Sequence, residues 1–215
     1  MKKAKIVLAG IIVFCMGILW TSCKKDDPAP VPLSAITFKN LAADPPTGGY
    51  DPNTGQAIGV TNKFTLFSFK TGAVVSNADS ASTQWDIGFR STTIIVNGGT
   101  SGPGSAGAIV QTGVFSDIVT APNDGYLKDD KTSTTSPYAI KKGSGNGWYS
   151  YDPSANVISP IAGRVLLFRT ADGKYAKMEI LSYYKDAPAA PTSSSVDRNY
   201  TFRYIYQPDG SKKLQ

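Results

Sequence analysis

The residues of this chain best suited to holding a ligand form one aromatic run, Trp148 to Asp152. Its three rings and one carboxylate stand where a short β-rich segment enters a loop. Aromatic side chains in such a place can stack on a flat ligand, but ordinary strand edges show the same pattern. The run therefore nominates Trp148, Tyr149, Tyr151 and Asp152 for ligand contact and leaves both interpretations open.

Missing residue types exclude several kinds of chemistry. The chain has no histidine and a single glutamate, Glu179. Without histidine, neither a Ser-His-Asp nor a Cys-His nucleophile can be built, and ordinary zinc sites are excluded. Fifteen aspartates remain, and paired aspartates could serve glycoside hydrolysis. Most of them neighbour Gly, Pro or Asn, where turn formation explains them. We expect no enzymatic activity.

Two other motifs have a simpler explanation than ligand binding, because each fits an ordinary role in the fold. Gly102 to Gly107 matches G-x-G-x-x-G, but the residues that follow favour a strand, whereas dinucleotide binding requires a helix there. Met178 could in principle ligate a metal. Its parity in the 174–184 segment, with Ala176 and Ile180, is that of a core residue.

The N-terminus has the pattern of a bacterial lipoprotein signal. Lys2, Lys3 and Lys5 precede an apolar run of about 15 residues, too short to span a bilayer, and the run ends at Thr21-Ser22-Cys23. We predict a signal peptide over 1–22, a lipidated Cys23 at the head of a flexible tether over 23–35, and a folded domain over 36–215. The charged residues after Cys23 resemble the export signal of Bacteroidota surface lipoproteins. This predicts a lipid-anchored protein on the outer membrane, facing the exterior, with no other membrane contact.

The composition of the predicted mature part argues against nucleic-acid binding. The formal charge of the whole chain is +6, and it falls to +3 once the three signal-peptide lysines leave. The remaining cations are scattered, and no basic run interleaves with aromatic residues. Cys15 is removed and Cys23 carries lipid, so no disulfide can support the fold.

Period-two patterns predict an all-β, mainly antiparallel single domain. Tyr200, Phe202, Tyr204 and Tyr206 should share one buried face of a strand. Asp172-Gly173 between two β-rich segments predicts a hairpin. Further strands are expected at 64–69, 85–90 (one face apolar, the other solvated), 92–96, twice within 107–119, and at 148–151, 164–170 and 174–184. Segments 40–59, 97–107, 120–147 and 186–198 should be long polar loops.

Taken together, these segments resemble the HmuY-like haem-binding lipoproteins. The similarity spans about residues 60–206 and is strongest over 164–177, with further matches at 85–87, 97–102, 121–126, 147–148, 184–187 and 201–204. The resemblance implies a hand-shaped β fold whose finger-like and thumb-like hairpins grip a flat tetrapyrrole. It also implies haem as the ligand, handed over to a TonB-dependent receptor.

The chain departs from that family at the iron ligands. The best-known members hold haem iron between two histidines. One position falls here at Asp152 or Pro153, and the other in the shorter connection 127–146, where no ligand can be matched. Without histidine, a phenolate is the remaining good hard ligand for ferric iron, which adds Tyr126 to Tyr149 and Tyr151 as candidates. Some relatives are thought to use methionine, which makes Met178 the other metal-ligand candidate.

The leading hypothesis is a surface lipoprotein that binds haem, another porphyrin or an iron-bearing ligand without bis-histidine ligation. One alternative is a family member that has lost haem and acts as a receptor-associated or adhesive protein through loops 97–107 and 120–147. A carbohydrate-binding or carbohydrate-cleaving module is the other alternative.

Overall fold

The computed structural model describes residues 32–215, so Cys23 and the predicted signal peptide lie outside the described residues. The described part contains eleven strands and one short 3-10 turn, Asn77–Asp79, and none of its helices is long and apolar enough to cross a membrane. The strands are β1 Ile36–Ala42, β2 Thr65–Ser68, β3 Ala73–Val75, β4 Ile87–Arg90, β5 Thr93–Val96, β6 Gly107–Thr112, β7 Tyr149–Asp152, β8 Val157–Pro160, β9 Arg164–Arg169, β10 Tyr175–Ser182 and β11 Asn199–Gln207.

Every strand pairing is antiparallel, which confirms the all-β prediction. A five-stranded sheet has the order β1-β11-β10-β9-β6, and a four-stranded sheet has the order β3-β2-β4-β5. Strands β7 and β8 form a separate hairpin. The main core lies between the two larger sheets, where Phe67 of β2 meets Phe202 of β11 with ring centroids 5.2 Å apart.

The five-stranded sheet is covered on both faces. On β9, Leu166 and Phe168 point into the main core, whereas Val165 and Leu167 point to a second cluster that includes Phe115. This explains why β9 is apolar at four successive positions and does not alternate. Both faces of the sheet are shielded from water at β9, so odd- and even-numbered side chains of this strand are apolar alike.

Strand β11 and the Asp-Gly hairpin match their predictions. Tyr200, Phe202 and Tyr204 are fully buried on one face, and Tyr206 packs against the same core. Strands β9 and β10 pair from Arg169↔Tyr175 inward, and the turn between them contains Gly173 at φ +84°. A positive φ is the conformation that glycine adopts without steric cost.

Other predictions about the strands were wrong. Two positions predicted to be solvated, Asp86 and Gly88, are buried, and Asp86 is only 5% exposed. Arg90 on the same face is partly exposed. Segment 107–119 contains one strand, β6, where two were expected. Strands β1, β3 and β8 were not predicted. Segment 120–147 contains no regular strand or helix, as expected, but Gly99 of the neighbouring loop pairs with Asp129 within it.

Candidate binding site

A cleft of about 670 Å³ opens beside the β7–β8 hairpin. Tyr151, Asn156 and Ile158 of the hairpin form one wall, and Tyr184, just after β10, also lines it. The opposite walls come from two loops, residues 45–55 and residues 192–197. Three tyrosine rings therefore meet at one opening.

Tyr184 is the buried tyrosine of the cleft. Its hydroxyl accepts a hydrogen bond from the backbone N–H of Ile158 at 2.8 Å, which ties β10 to the hairpin. Burial raises the pKa of the Tyr184 hydroxyl. The ring is only 4% exposed and therefore supports the wall more than it offers a free oxygen.

Tyr50 reaches the cleft from a loop that is held by hydrogen bonds at its base and at its tip. Asp44 accepts bonds from Thr61 and Asn62 at the base of the loop. At its tip, the Tyr50 hydroxyl donates to Oδ2 of Asp197 at 2.6 Å. Burial and the Asp197 carboxylate raise the pKa of Tyr50 to about 12. The Arg198 guanidinium lies 5.8 Å from the centre of the Tyr50 ring.

Tyr151 is the exposed ring of the aromatic run. Its backbone N–H donates to Oγ of Ser144 at 2.8 Å, and its hydroxyl donates to Oδ1 of Asn156 at 3.0 Å. The side chain is 43% exposed and lines the cleft. Tyr50, Tyr151 and Val196, three of the exposed large apolar residues, therefore meet at this one site.

Asp152 closes the turn of the hairpin and does not line the cleft. One oxygen, Oδ1, accepts from the hydroxyl and N–H of Ser154 at 2.6 and 2.9 Å and from the N–H of Ala155 at 3.3 Å. These bonds lower the pKa of the Asp152 carboxyl. Turn geometry accounts for this carboxylate, so the structure gives no support to its proposed ligand contact.

Trp148 and Tyr149 are core residues, so the structure supports the packing interpretation of these two positions and not ligand contact. Trp148 is 2% exposed, and its indole N–H donates to the carbonyl of Thr92 at 3.0 Å. Its ring packs 4.9 Å from that of Tyr149 and 5.1 Å from that of Tyr200. Tyr149 also belongs to the main core. Strand alternation does not explain this split, since Tyr149 and Tyr151 have the same parity. Tyr149 packs within the main core, whereas Tyr151 is exposed at the cleft.

Tyr126 lies away from the cleft. It packs against the second hydrophobic cluster, on the other face of the five-stranded sheet, with its ring 6.1 Å from that of Tyr175. Its hydroxyl donates to the carbonyl of Pro122 at 3.3 Å, and burial raises the pKa of the hydroxyl. The structure therefore does not bring Tyr126 together with Tyr151.

Met178 is fully buried, as its parity predicted. It pairs in register with Leu166 on β9 and Tyr204 on β11 and belongs to the main core. Met178 does not line the cleft, so the structure gives no support to methionine as a ligand there. Within residues 32–215, no group of three or more His, Cys, Asp or Glu side chains could hold a metal ion.

Sequence reasoning missed Tyr50 and Tyr184. Tyr50 stands between Gly49 and Asp51-Pro52, so its surroundings indicate only a turn. Tyr184 was assigned to the end of a strand, with nothing to distinguish it from core aromatics. The cleft they form with Tyr151 offers ring faces for stacking and phenol oxygens for a hard cation such as ferric iron.

Comparison with known proteins finds similar solved structures and one matching family. Solved structures that resemble it include an HmuY-like haem-binding protein of Bacteroides vulgatus (17% identity, 80% of this chain and 91% of that chain covered, TM-score 0.47). A lipoprotein of Bacteroides fragilis (14%, 81% and 91%, 0.45) and the apo HmuY analog of Tannerella forsythia (17%, 82% and 96%, 0.43) are also similar. No curated protein matches the sequence. The family described as HmuY protein matches residues 60–204, about two thirds of the chain. The chain therefore belongs to the HmuY family.

Proposed function

We propose that the chain is a surface lipoprotein that binds haem, another porphyrin or a similar iron-bearing ligand in the cleft of Tyr50, Tyr151 and Tyr184, and hands it to a TonB-dependent receptor. The observation that carries the proposal is the meeting of three tyrosines at one opening of about 670 Å³. That volume lies within the roughly 300–1,000 Å³ usual for small-molecule sites. Family membership and the haem-binding description of a similar Bacteroides vulgatus protein support the choice of ligand.

The chemistry of the cleft suits an oxygen ligand to iron. The chain has no histidine, so protein donors are restricted to oxygen, sulfur and amine groups. Tyr50 and Tyr151 are the exposed phenols, and Met178 is buried elsewhere. Tyr50 would have to lose its proton to serve as a phenolate ligand, and the Asp197 carboxylate, which accepts the Tyr50 O–H hydrogen bond at 2.6 Å, is the group placed to take that proton. Tyr50 is therefore the first candidate for the iron ligand, with Tyr151 the second or a stacking partner.

The same proposal assigns a role to each segment of the chain. Residues 1–22 act as the signal peptide, Cys23 carries lipid, residues 23–35 form the tether and 36–215 form the binding domain. The lipid places the protein on the outer membrane, facing the exterior. We propose that the chain is a binding protein and not an enzyme, because haem in this proposal is the transported ligand and not a cofactor for a reaction.

Titration of the purified protein with ferric haem tests the proposal. We expect a Soret shift and a high-spin ferric spectrum, because a phenolate is a weak-field ligand. Tyr50→Phe should weaken binding or change the spectrum, and Tyr151→Phe should have a smaller effect. Tyr126→Phe is the matched control, because it removes a partly buried phenol from the other face of the five-stranded sheet and should leave the spectrum unchanged.

Two results would change the assignment. A low-spin spectrum that disappears in Met178→Leu, with the fold intact, would make methionine the ligand. No spectral change on adding haem to the wild type would favour an HmuY-family protein that has lost haem and serves as a receptor-associated, adhesive or carbohydrate-binding surface protein.

A further inference from the structure

A second, smaller cleft of about 330 Å³ lies on the four-stranded sheet, apart from the three tyrosines. Its floor is Leu66, Trp85 and Ile95, which form a hydrophobic cluster separate from the main core. Phe64 and Tyr138 pack at the edges of this cluster and also line the cleft. The floor is thus apolar and partly aromatic, and it shares no lining residue with the first cleft.

Three cations surround this apolar floor. Lys63 and Arg90 come from the four-stranded sheet side, and Lys131 comes from the loop 120–147. No aspartate or glutamate lines the cleft among residues 32–215. The salt bridge found in that part of the chain joins Arg203 and Glu179 and involves none of these three cations.

Arg90 is held ready for an anion. Its Nη1 donates to the carbonyl of Asn62 at 2.9 Å, and its guanidinium carbon lies 4.4 Å from the centre of the Phe64 ring. Those two contacts fix the planar group and leave further N–H donors at the cleft. A fixed guanidinium loses little side-chain entropy when it binds a carboxylate or phosphate.

Two carboxylates close to Lys131 in the sequence are engaged elsewhere. Oδ1 of Asp130 accepts from the N–H and hydroxyl of Thr132 at 2.9 and 2.6 Å. Asp129 is 1% exposed and accepts hydrogen bonds from the N–H groups of Val96 and Ala139 at 3.0 and 2.8 Å. Asp129 therefore serves to hold the loop against β5. It does not compete for a ligand at the opening.

We propose that this cleft binds a small organic anion in which a phosphate or carboxylate group is joined to a flat apolar ring. The anionic group lies against Arg90 and Lys131, with Lys63 beside them, and the ring lies on the apolar floor near Trp85. The volume is half that of the first cleft, so the ligand is smaller than a tetrapyrrole. This site does not depend on haem binding.

Phenyl phosphate is the probe, with Trp fluorescence as the readout. Trp85 lines the cleft and is otherwise buried, whereas the other described tryptophan, Trp148, lies in the main core. We expect phenyl phosphate to change the fluorescence saturably. Benzyl alcohol, which keeps a ring without the charge, and inorganic phosphate, which lacks the ring, should each bind at least about tenfold more weakly.

Variants locate the site. Arg90→Gln and Lys131→Gln should each weaken phenyl phosphate binding about five- to tenfold, because each removes a charge-assisted hydrogen bond. Lys213→Gln is the matched control, an exposed lysine near the second hydrophobic cluster, and should bind as the wild type does. Near-ultraviolet circular dichroism verifies that each variant is folded.

Four outcomes would overturn the proposal. If benzyl alcohol binds as tightly as phenyl phosphate, the anionic group is not required. If inorganic phosphate binds as tightly as phenyl phosphate, the ring is not required. If phenyl phosphate binds unchanged to both Arg90→Gln and Lys131→Gln, its binding site is not this cleft. If haem binding, and not phenyl phosphate binding, is lost in Arg90→Gln, the cleft belongs to the haem site and is not a separate one. Failure of haem to bind at all leaves this test unaffected.

Discussion

Phe202 lies at the centre of the aromatic layer between the two sheets. Its ring is fully buried and stands 5.2 Å from that of Phe67 and 5.6 Å from those of Phe38 and Phe89. Phe202→Ala should lower the free energy of unfolding by about 3–5 kcal/mol, because it removes this burial and leaves a cavity. Urea denaturation followed by fluorescence measures the change.

The control for Phe202→Ala is Val114→Ala, a truncation at a side chain that is 59% exposed. It should alter the free energy of unfolding by less than about 0.5 kcal/mol. A loss below about 1 kcal/mol in Phe202→Ala would contradict the packing between the sheets.

Asp86 joins the two sheets through its carboxylate. Oδ2 accepts from the N–H of Phe69 at 2.8 Å, and Oδ1 accepts from the N–H of Ala171 in the β9–β10 turn at 2.9 Å. Burial raises the pKa of this carboxyl to about 6 from an ordinary 3.8. Asp86→Asn should cost about 1–3 kcal/mol of stability at pH 7, because its amide has one acceptor oxygen for two N–H donors.

The raised pKa of Asp86 predicts the sign of a pH effect. The folded state binds the proton more tightly than the unfolded state, so protonation favours folding. The contribution of this group is greatest below about pH 4 and is lost as the pH rises through 6. The difference in unfolding free energy between wild type and Asp86→Asn, measured by denaturation at pH 4.5 and 7.5, should therefore be larger at pH 4.5. A larger difference at pH 7.5 would contradict this.

At the scale of elements, the β9–β10 hairpin depends on its glycine. Gly173 has φ +84°, and the nearest atom that an added Cβ would meet is 3.8 Å away, so the backbone conformation alone resists substitution. Gly173→Ala should cost about 1–2 kcal/mol, measured by thermal or urea unfolding. Gly113→Ala is the matched control, since that φ is not in the left-handed region and the nearest contact is an ordinary 3.5 Å. Equal costs for both variants would show that the turn conformation is not the cause.

Strands with strong alternation or continuous apolar runs could be predicted from the sequence, and weak ones could not. Strand β11 has four aromatic residues at period two, and β9 has four apolar residues in a row. Strand β3 has only three residues, and β8 includes Ser159 and Pro160. Strand β1 lies at a sheet edge with most of its residues exposed, so burial leaves little pattern in it.

The error at β4 has a physical cause as well. Asp86 and Arg90 read as the polar positions of a half-buried strand, but Asp86 receives two backbone N–H donors from distant segments. A buried carboxylate satisfied in this way has the same sequence signature as an exposed one. Only the position of the partners, one of them 85 residues away, distinguishes the two cases.

At the scale of the whole molecule, the candidate cleft depends on contacts that the sequence does not reveal. Tyr50 and Asp197 are separated by 147 positions, and Tyr50 precedes the part of the chain that matches the family. Of the residues nominated from the aromatic run, Tyr151 alone lines the cleft. The run indicated the right hairpin, because strand alternation could be read, but it could not show which rings the core would bury.

The proposed lipid anchor of the molecule depends on Cys23, which lies outside the described residues. Cys23→Ala should leave an unprocessed precursor or a soluble product, because the thiol is the acceptor of the lipid. Membrane fractionation with metabolic labelling by a palmitate analogue measures this. A variant that is cleaved and still partitions with membranes would contradict the lipoprotein assignment.

Pairing of the first strand with the last sets the order in which this domain is completed. Strand β1 contacts the five-stranded sheet only through β11, from Ile36↔Tyr204 to Ala42↔Asn199. That pairing closes a loop of almost the whole domain, and such non-local closure slows folding. Until β11 has been synthesised, β1 has no strand partner. The five-stranded sheet can therefore be completed only after the last strand of the chain is available, so the first strand to be made is among the last to be paired.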